Sequence, residues 1–202
     1  IDAKHVDSHF ILGALHLERG QLDHAFHYLH KALELRPNDA NFHHTLGLTL
    51  REQRKLDDAV NHFQKAIEFN PDRASSYFNF ARTLELQGKL DSAITQLRRA
   101  LQLLQDYPNA PNRLGSILLK TGQVDEAISH FSQILEVHPE IAGARFNLGQ
   151  AYLKKGNRTR GVELIRQAVR QRPNLAQLAK QIGVDTTIGP DHDMSQDNQN
   201  RK

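Results

Sequence analysis

The sequence contains no cysteine and no tryptophan, a single methionine, and no long run of apolar residues. Without cysteine, the chain has no disulfide, no thiolate metal site and no cysteine nucleophile. Without roughly 20 consecutive apolar residues, it has no candidate transmembrane helix. We therefore expect a soluble protein, in the cytoplasm.

The sequence patterns that accompany catalysis are also missing. There is no glycine-rich phosphate loop, no HExxH motif and no serine–histidine–aspartate grouping in a catalytic context. Two pairs of adjacent carboxylates occur, Asp57-Asp58 and Asp125-Glu126. Adjacent residues on a helix point about 100° apart, so neither pair converges on one site. We predict no catalytic residue and no cofactor in this segment, which would not itself be an enzyme.

The sequence does contain a strict 34-residue period without insertions. Four kinds of residue recur at this step: a small residue, a second small residue, a bulky apolar residue and a proline. Gln105 interrupts only the proline series. The four series are Gly13, Gly47, Ala81, Gly115, Gly149 and Gly183; Ala25, Ala59, Ala93, Ala127 and Gly161; Leu29, Phe63, Leu97, Phe131 and Ile165; and Pro37, Pro71, Pro139 and Pro173.

Each period is predicted to form two amphipathic helices joined by a short turn. The segment 40–73 shows this best, because its apolar residues have helical spacing on both sides of Arg54 and Asn70-Pro71 ends the second run. Glycine occupies the Arg54 position in four other periods. One such hairpin cannot bury its apolar faces alone, so the periods must stack.

This pattern resembles the tetratricopeptide repeat (TPR) family, over residues 6–175. The resemblance implies an all-α, right-handed superhelix (an α-solenoid) of five helix-turn-helix repeats, 6–39, 40–73, 74–107, 108–141 and 142–175. A partial capping helix over 174–183 and a disordered polar tail over 184–202 would follow. Since Gln105 replaces the usual proline, we expect the second helix of the third repeat to run long and the next helix to start late.

The resemblance also implies a concave groove, lined by the first helix of each repeat. Phenylalanine at three groove positions would give this surface an apolar character typical of a binding site. The alternative is that Phe10, Phe78 and Phe146 pack between neighbouring first helices. The groove positions are Phe10, His44, Phe78, Asn79, Arg82, Asn112, Arg113, Phe146, Asn147 and Gln150.

Two specialised TPR grooves are not favoured. The clamp that holds C-terminal carboxylates in chaperone-binding TPR proteins needs a basic residue at the fifth repeat position, where this chain has none. The asparagine ladder of the O-GlcNAc transferase array is matched only by Asn79 and Asn147. We expect an extended segment held by Asn79, Arg82, Arg113 and Asn147, with phenylalanine as an anchor.

Charge and histidine are unevenly distributed along the chain. Repeat 142–175 has eight basic residues against Glu163, and its candidate basic patch is Lys154, Lys155, Arg158, Arg160, Arg166 and Arg170. Such a patch is either a solvated cap or a surface for an acidic protein, with nucleic acid less favoured. Nine of the twelve histidines lie between His5 and His62. We interpret them as surface or packing residues, with no metal site.

We predict a non-catalytic scaffold that binds a protein or peptide in its groove. The second hypothesis is that the chain is the partner-selecting arm of a larger enzyme, a transferase or hydrolase, whose catalytic domain precedes Ile1. Binding of nucleic acid or of an acidic partner through the basic fifth repeat is the third.

Overall fold

The computed structural model describes residues 3–104 and 110–186. All of its regular structure in these ranges is helical. The helices are α1 Ala3–Glu18, α2 Leu22–Leu35, α3 Ala40–Glu52, α4 Leu56–Phe69, α5 Ala74–Leu86, α6 Leu90–Leu103, α7 Ala110–Lys120, α8 Val124–Val137, α9 Ala142–Lys154, α10 Arg158–Gln171 and α11 Ala176–Gln181, with a 3₁₀ turn at Pro173–Leu175 before α11.

The turn inside each hairpin follows from one backbone conformation. Gly20, Gly88, Gly122 and Gly156 have positive φ angles of 70°, 76°, 84° and 89°. Arg54 adopts the same conformation, with φ 64°. An L-residue with a side chain is strained in this region, so the second repeat has a less stable turn than the others.

The first compact unit covers residues 1–117. In it, α1 packs on α2, α3 on α4 and α5 on α6, and the hairpins meet through α2 with α3 and α4 with α5. The bulky apolar series forms the centre of these pairs, since Leu29, Phe63 and Leu97 are fully buried. Gly47 leaves room for the Phe63 ring, which lies 3.0 Å from where a Cβ would stand.

The second compact unit covers residues 118–202. Here α9 packs against both α8 and α10, and Phe131 and Ile165 are fully buried. The helices α9 and α10 cross at glycines: a Cβ on Gly149 would stand 2.6 Å from Ile165 Cγ1 and 2.8 Å from the Gly161 carbonyl oxygen. Two small residues therefore permit this crossing.

Two predictions of element boundaries need correction. The helix α6 does not run long: it ends at Leu103, has 14 residues like α2 and α4, and Leu104 is already extended. Its α-helical hydrogen bonds stop without a proline. The predicted late start of the next helix falls partly on residues 105–109, which lie outside the described residues.

The C-terminal capping helix, predicted over 174–183, is only Ala176–Gln181, but the segment that covers the core extends to Val184. After α11, Gly183 has φ 74°, and the Val184 N–H donates to the Ala179 carbonyl at 3.0 Å, as in a Schellman motif. Val184 is only 2% exposed and packs with Phe146 and Ile165. The predicted tail therefore does not begin at Val184, and residues 187–202 of it lie outside the described residues.

Candidate functional site

A cavity of about 460 Å³ lies between α5 and α7, within the first unit. Three side chains of α5 and three of α7 line it: Phe78, Arg82, Glu85, Asn112, Arg113 and Ser116. Residues 78, 82 and 85 share a face because they are about one helical turn apart, and residues 112 and 113 each lie about one turn from residue 116. Four of the predicted groove residues, Phe78, Arg82, Asn112 and Arg113, are thus brought together.

The wall of the cavity carries charges that pair across the two helices. The Arg113 guanidinium donates to Glu85 Oε2 at 2.5 Å and lies 6.0 Å from the centroid of the Phe78 ring. Phe78 itself is only 8% exposed, so a small part of its side chain faces the cavity. The sequence analysis did not predict Glu85; its position, three residues after Arg82 on the same helical face, was the available signal.

A second ion pair lies next to the cavity. Arg51, on α3, pairs with Glu52 at 3.1 Å and donates to Asn79 Oδ1 at 2.9 Å. The Asn79 amide group donates in turn to the Ser75 carbonyl. Asn79 is therefore half-buried in an internal network rather than free in the groove, in contrast to its predicted role.

Arg82 lies between these two ion pairs and is half-buried. Burial is the main cause that lowers the pKa of its guanidinium, and the positive charges of Arg51 and Arg113 lower the pKa further. Glu52 and Glu85 oppose this effect. Arginine stays charged at any physiological pH, so its partial burial lowers the stability of the fold.

Two predicted groove residues of the first unit, His44 and Phe10, make packing contacts with aromatic rings. His44 is 5% exposed, its Nδ1 lies 3.0 Å from Ser76 Oγ, and its ring meets Phe63 edge-on. Burial, then Arg73 and Arg51, lowers the pKa of His44 to about 3. Phe10 stacks on Phe42 at 4.9 Å between centroids.

In the second unit, the expectation that Phe146 faces a groove is wrong. It is 1% exposed and belongs to the core that includes Ile165 and Val184. The alternative interpretation, packing between helices, holds for this residue. Asn147 and Gln150, also on α9, are half-buried.

Four of the six residues predicted to form a basic patch have partners in the chain. Lys155 pairs with Asp125 at 2.7 Å, and this hydrogen bond raises the lysine pKa. Arg160 pairs with Glu163. The other two donate to backbone carbonyls, Lys154 to Leu119 and Arg166 to Asp185. Arg158 and Arg170 are exposed.

The histidines pair with one another and with aromatic rings. His43 Nε2 lies 2.8 Å from the Pro37 carbonyl, so this nitrogen carries a proton, and Nδ1 of neutral His43 accepts from His62 Nδ1 at 2.9 Å. Burial is the largest cause that lowers the pKa of both, to about 4 for His62. His24 stacks on His16. Among the described residues, no group of three His, Asp or Glu side chains is placed to hold a metal ion.

Over residues 3–104 and 110–186, no helix combines the length and hydrophobicity that a membrane crossing requires.

Sequence models of the tetratricopeptide repeat match residues 6–39, 40–106 and 112–176. Together they cover most of the chain. The chain therefore belongs to the TPR family. No curated protein matches it by sequence.

Solved structures agree with this assignment. MamA is 24% identical, with a TM-score of 0.77 over 86% of this chain and 95% of that one. YrrB, a TPR protein with an unusual peptide-binding site, is 26% identical, with a TM-score of 0.75 over 86% and 90%. The pilF protein of Pseudomonas aeruginosa is 20% identical, with a TM-score of 0.68 over 88% and 85%. The predicted fold class, an all-α TPR superhelix, is confirmed.

Proposed function

We propose that this chain is a protein–protein interaction scaffold whose first helices hold an extended or helical segment of a partner. The observation that carries the proposal is the cavity between α5 and α7, where aromatic, amide and charged side chains converge. Binding sites for peptides combine an apolar wall with a few polar groups that orient the ligand. The peptide-binding site of YrrB, which has the same fold, supports this function.

The lining suggests how an extended segment would be held. The amide of Asn112 can both donate to and accept from a peptide backbone. The Ser116 hydroxyl donates to the Asn112 carbonyl within α7. Phe78 supplies the apolar wall for a neighbouring side chain. Asn147 and Gln150 stand 34 residues after Arg113 and Ser116, so the fifth repeat has amides at the corresponding positions.

The basic-patch hypothesis gains no support, because most of its cations already have partners in the chain. The enzyme-arm hypothesis uses the same groove, with the partner serving as a substrate. One experiment on the groove therefore applies to both the scaffold and the arm.

The test is an unbiased selection of random peptides displayed on phage against the immobilised chain. Affinities of the enriched peptides would then be measured by fluorescence anisotropy for wild type and two variants. Asn112→Trp fills the cavity, and the double variant Arg158→Glu, Arg170→Glu reverses two exposed charges elsewhere. The proposal expects binding that Asn112→Trp reduces at least about tenfold and that the double variant leaves unchanged.

Two results would contradict the proposal. One is the absence of any enriched peptide. The other is enriched peptides that bind the Asn112→Trp variant as well as wild type while its helical circular dichroism stays native.

A further inference from the structure

Arg82 is the cavity residue that helix packing does not explain. The positions 34 residues before and after it hold Leu48 and Ser116, so the repeat itself does not require a cation here. Within the part of the chain that the structure describes, the Arg82 guanidinium has no hydrogen bond and no ion pair. A half-buried charge without a partner is unfavourable, and its presence points to a ligand.

The charges around Arg82 do not balance. Three guanidinium groups, those of Arg51, Arg82 and Arg113, interact with two carboxylates, those of Glu52 and Glu85. Each of the two outer arginines is already paired with one of these carboxylates. Among the described residues, one positive charge therefore stays uncompensated, and it lies on the lining of a cavity large enough for a side chain.

The other arginine on the cavity lining is already engaged. Arg113 gives a terminal nitrogen to Glu85, and its Nε is buried, so neither of these two nitrogens is offered to a ligand. Arg82 is therefore the cation that the lining presents. A carboxylate has two oxygens, which match the parallel donors of one guanidinium.

We propose that this cavity binds one acidic side chain of the peptide held in the groove, with the Arg82 guanidinium as the donor. This inference rests on the proposed function and adds the chemical class of the partner: an acidic segment with an apolar residue beside the acid, to lie against Phe78.

A nucleic-acid strand fits the cavity less well. It carries one negative charge per nucleotide, and Glu85 lines the same cavity with Glu52 next to it. Within residues 3–104 and 110–186, one positive charge is uncompensated here. A single carboxylate matches that charge, whereas successive phosphates would approach the two glutamates.

The probes for the test are four fluorescein-labelled pools of nine-residue peptides, degenerate except at the central position. Three pools have amidated C-termini and a fixed central Glu, Gln or Lys. The fourth has central Gln and a free C-terminal carboxylate. Anisotropy titrations would compare wild type with Arg82→Gln, Arg82→Lys, Asn112→Trp and a matched control, Arg19→Gln, which removes an exposed charge from the same unit.

The proposal expects wild type to bind the Glu pool about tenfold or more tightly than the amidated Gln pool. Preference for the fourth pool over the Glu pool would assign the cavity to a C-terminal carboxylate, against the proposal. Arg82→Gln should reduce the preference to about twofold, Arg82→Lys should keep part of it, and Arg19→Gln should keep all of it.

Equal binding of all four pools, weakened by Asn112→Trp, would overturn the carboxylate inference and leave the peptide-binding function standing. Binding of no pool would refute the peptide-binding function and this inference with it. Displacement of the Glu pool by a single-stranded oligonucleotide at lower concentration than by the unlabelled Glu pool would assign the cavity to phosphate instead, against the proposal.

Discussion

His44 makes stability depend on pH in a way that can be calculated from its environment. The imidazole is almost fully buried beside Ser76 and Phe63, and its pKa is lowered to about 3. In the unfolded chain, its pKa is about 6.5. Above pH 6.5 both states are neutral and the stability is fully present. As pH falls from 6.5 towards 3, only the unfolded state binds the proton, so the free energy of unfolding decreases.

The size of this effect follows from the proton linkage. Each pH unit below 6.5 costs about 1.4 kcal/mol for one group that protonates only on unfolding. At pH 5, His44 alone therefore lowers the free energy of unfolding by about 2 kcal/mol. His43 and His62 change the stability in the same direction, since their pKa values are also lowered.

The assay compares urea unfolding at pH 7.5 and pH 5.0 for wild type and His44→Gln, which keeps a polar group of similar size but does not titrate. The variant should lose about 2 kcal/mol less than wild type between these two pH values. NMR of the His44 ring should show no protonation down to about pH 4. An identical pH dependence in both proteins, or a His44 titration near pH 6, would refute this reasoning.

Three further predictions concern the frame of the repeats, and each is measured by urea unfolding followed by circular dichroism. Gly149→Ala should destabilise the fold by at least about 2 kcal/mol, because its Cβ would overlap Ile165 and a backbone oxygen. Its control, Gly143→Ala, lies on the same helix with open space around it and should stabilise the fold slightly. Equal effects of the two substitutions would contradict this prediction. Arg54→Gly should stabilise by about 1 kcal/mol, since φ is 64° there, and a loss would show that the side chain matters more than the turn. Val184→Ala should cost about 1–2 kcal/mol through lost burial; no change would show that the C-terminal segment does not cover the core.

The repeat frame could be predicted from the sequence because each requirement recurs at a fixed step. Leu29, Phe63 and Leu97 fill corresponding positions, and they are all fully buried. The length of α6 was predicted wrongly, because the helix ends at Leu103 although no proline follows at the usual repeat position.

The candidate site could be predicted only in part. Family positions identified Phe78, Arg82, Asn112 and Arg113, which do line one cavity. The same positions in other repeats gave His44 and Phe146, which are buried. Repeat position fixes the direction in which a residue leaves its helix, but burial depends on the neighbouring hairpin or cap. Phe146, for example, packs with Val184 and the C-terminal cap.

The imbalance of charge around Arg82 was not visible in the sequence either. It depends on which carboxylate each arginine reaches, and the pair of Arg113 with Glu85 joins residues 28 positions apart. The spacing of charges along the chain gives no direct sign of such pairs.

The most direct measurement is photo-crosslinking of a bound peptide to defined positions of the chain. Benzoylphenylalanine would replace Ser116, in the cavity, or Gln64, an exposed residue of α4 in the same unit. Each protein would be irradiated with the Glu peptide pool, and the products read by mass spectrometry. The account predicts crosslinks from position 116 that the unlabelled Glu pool suppresses, and none above background from position 64. Crosslinks from position 64 alone would place the peptide outside the α5–α7 cavity and contradict the account.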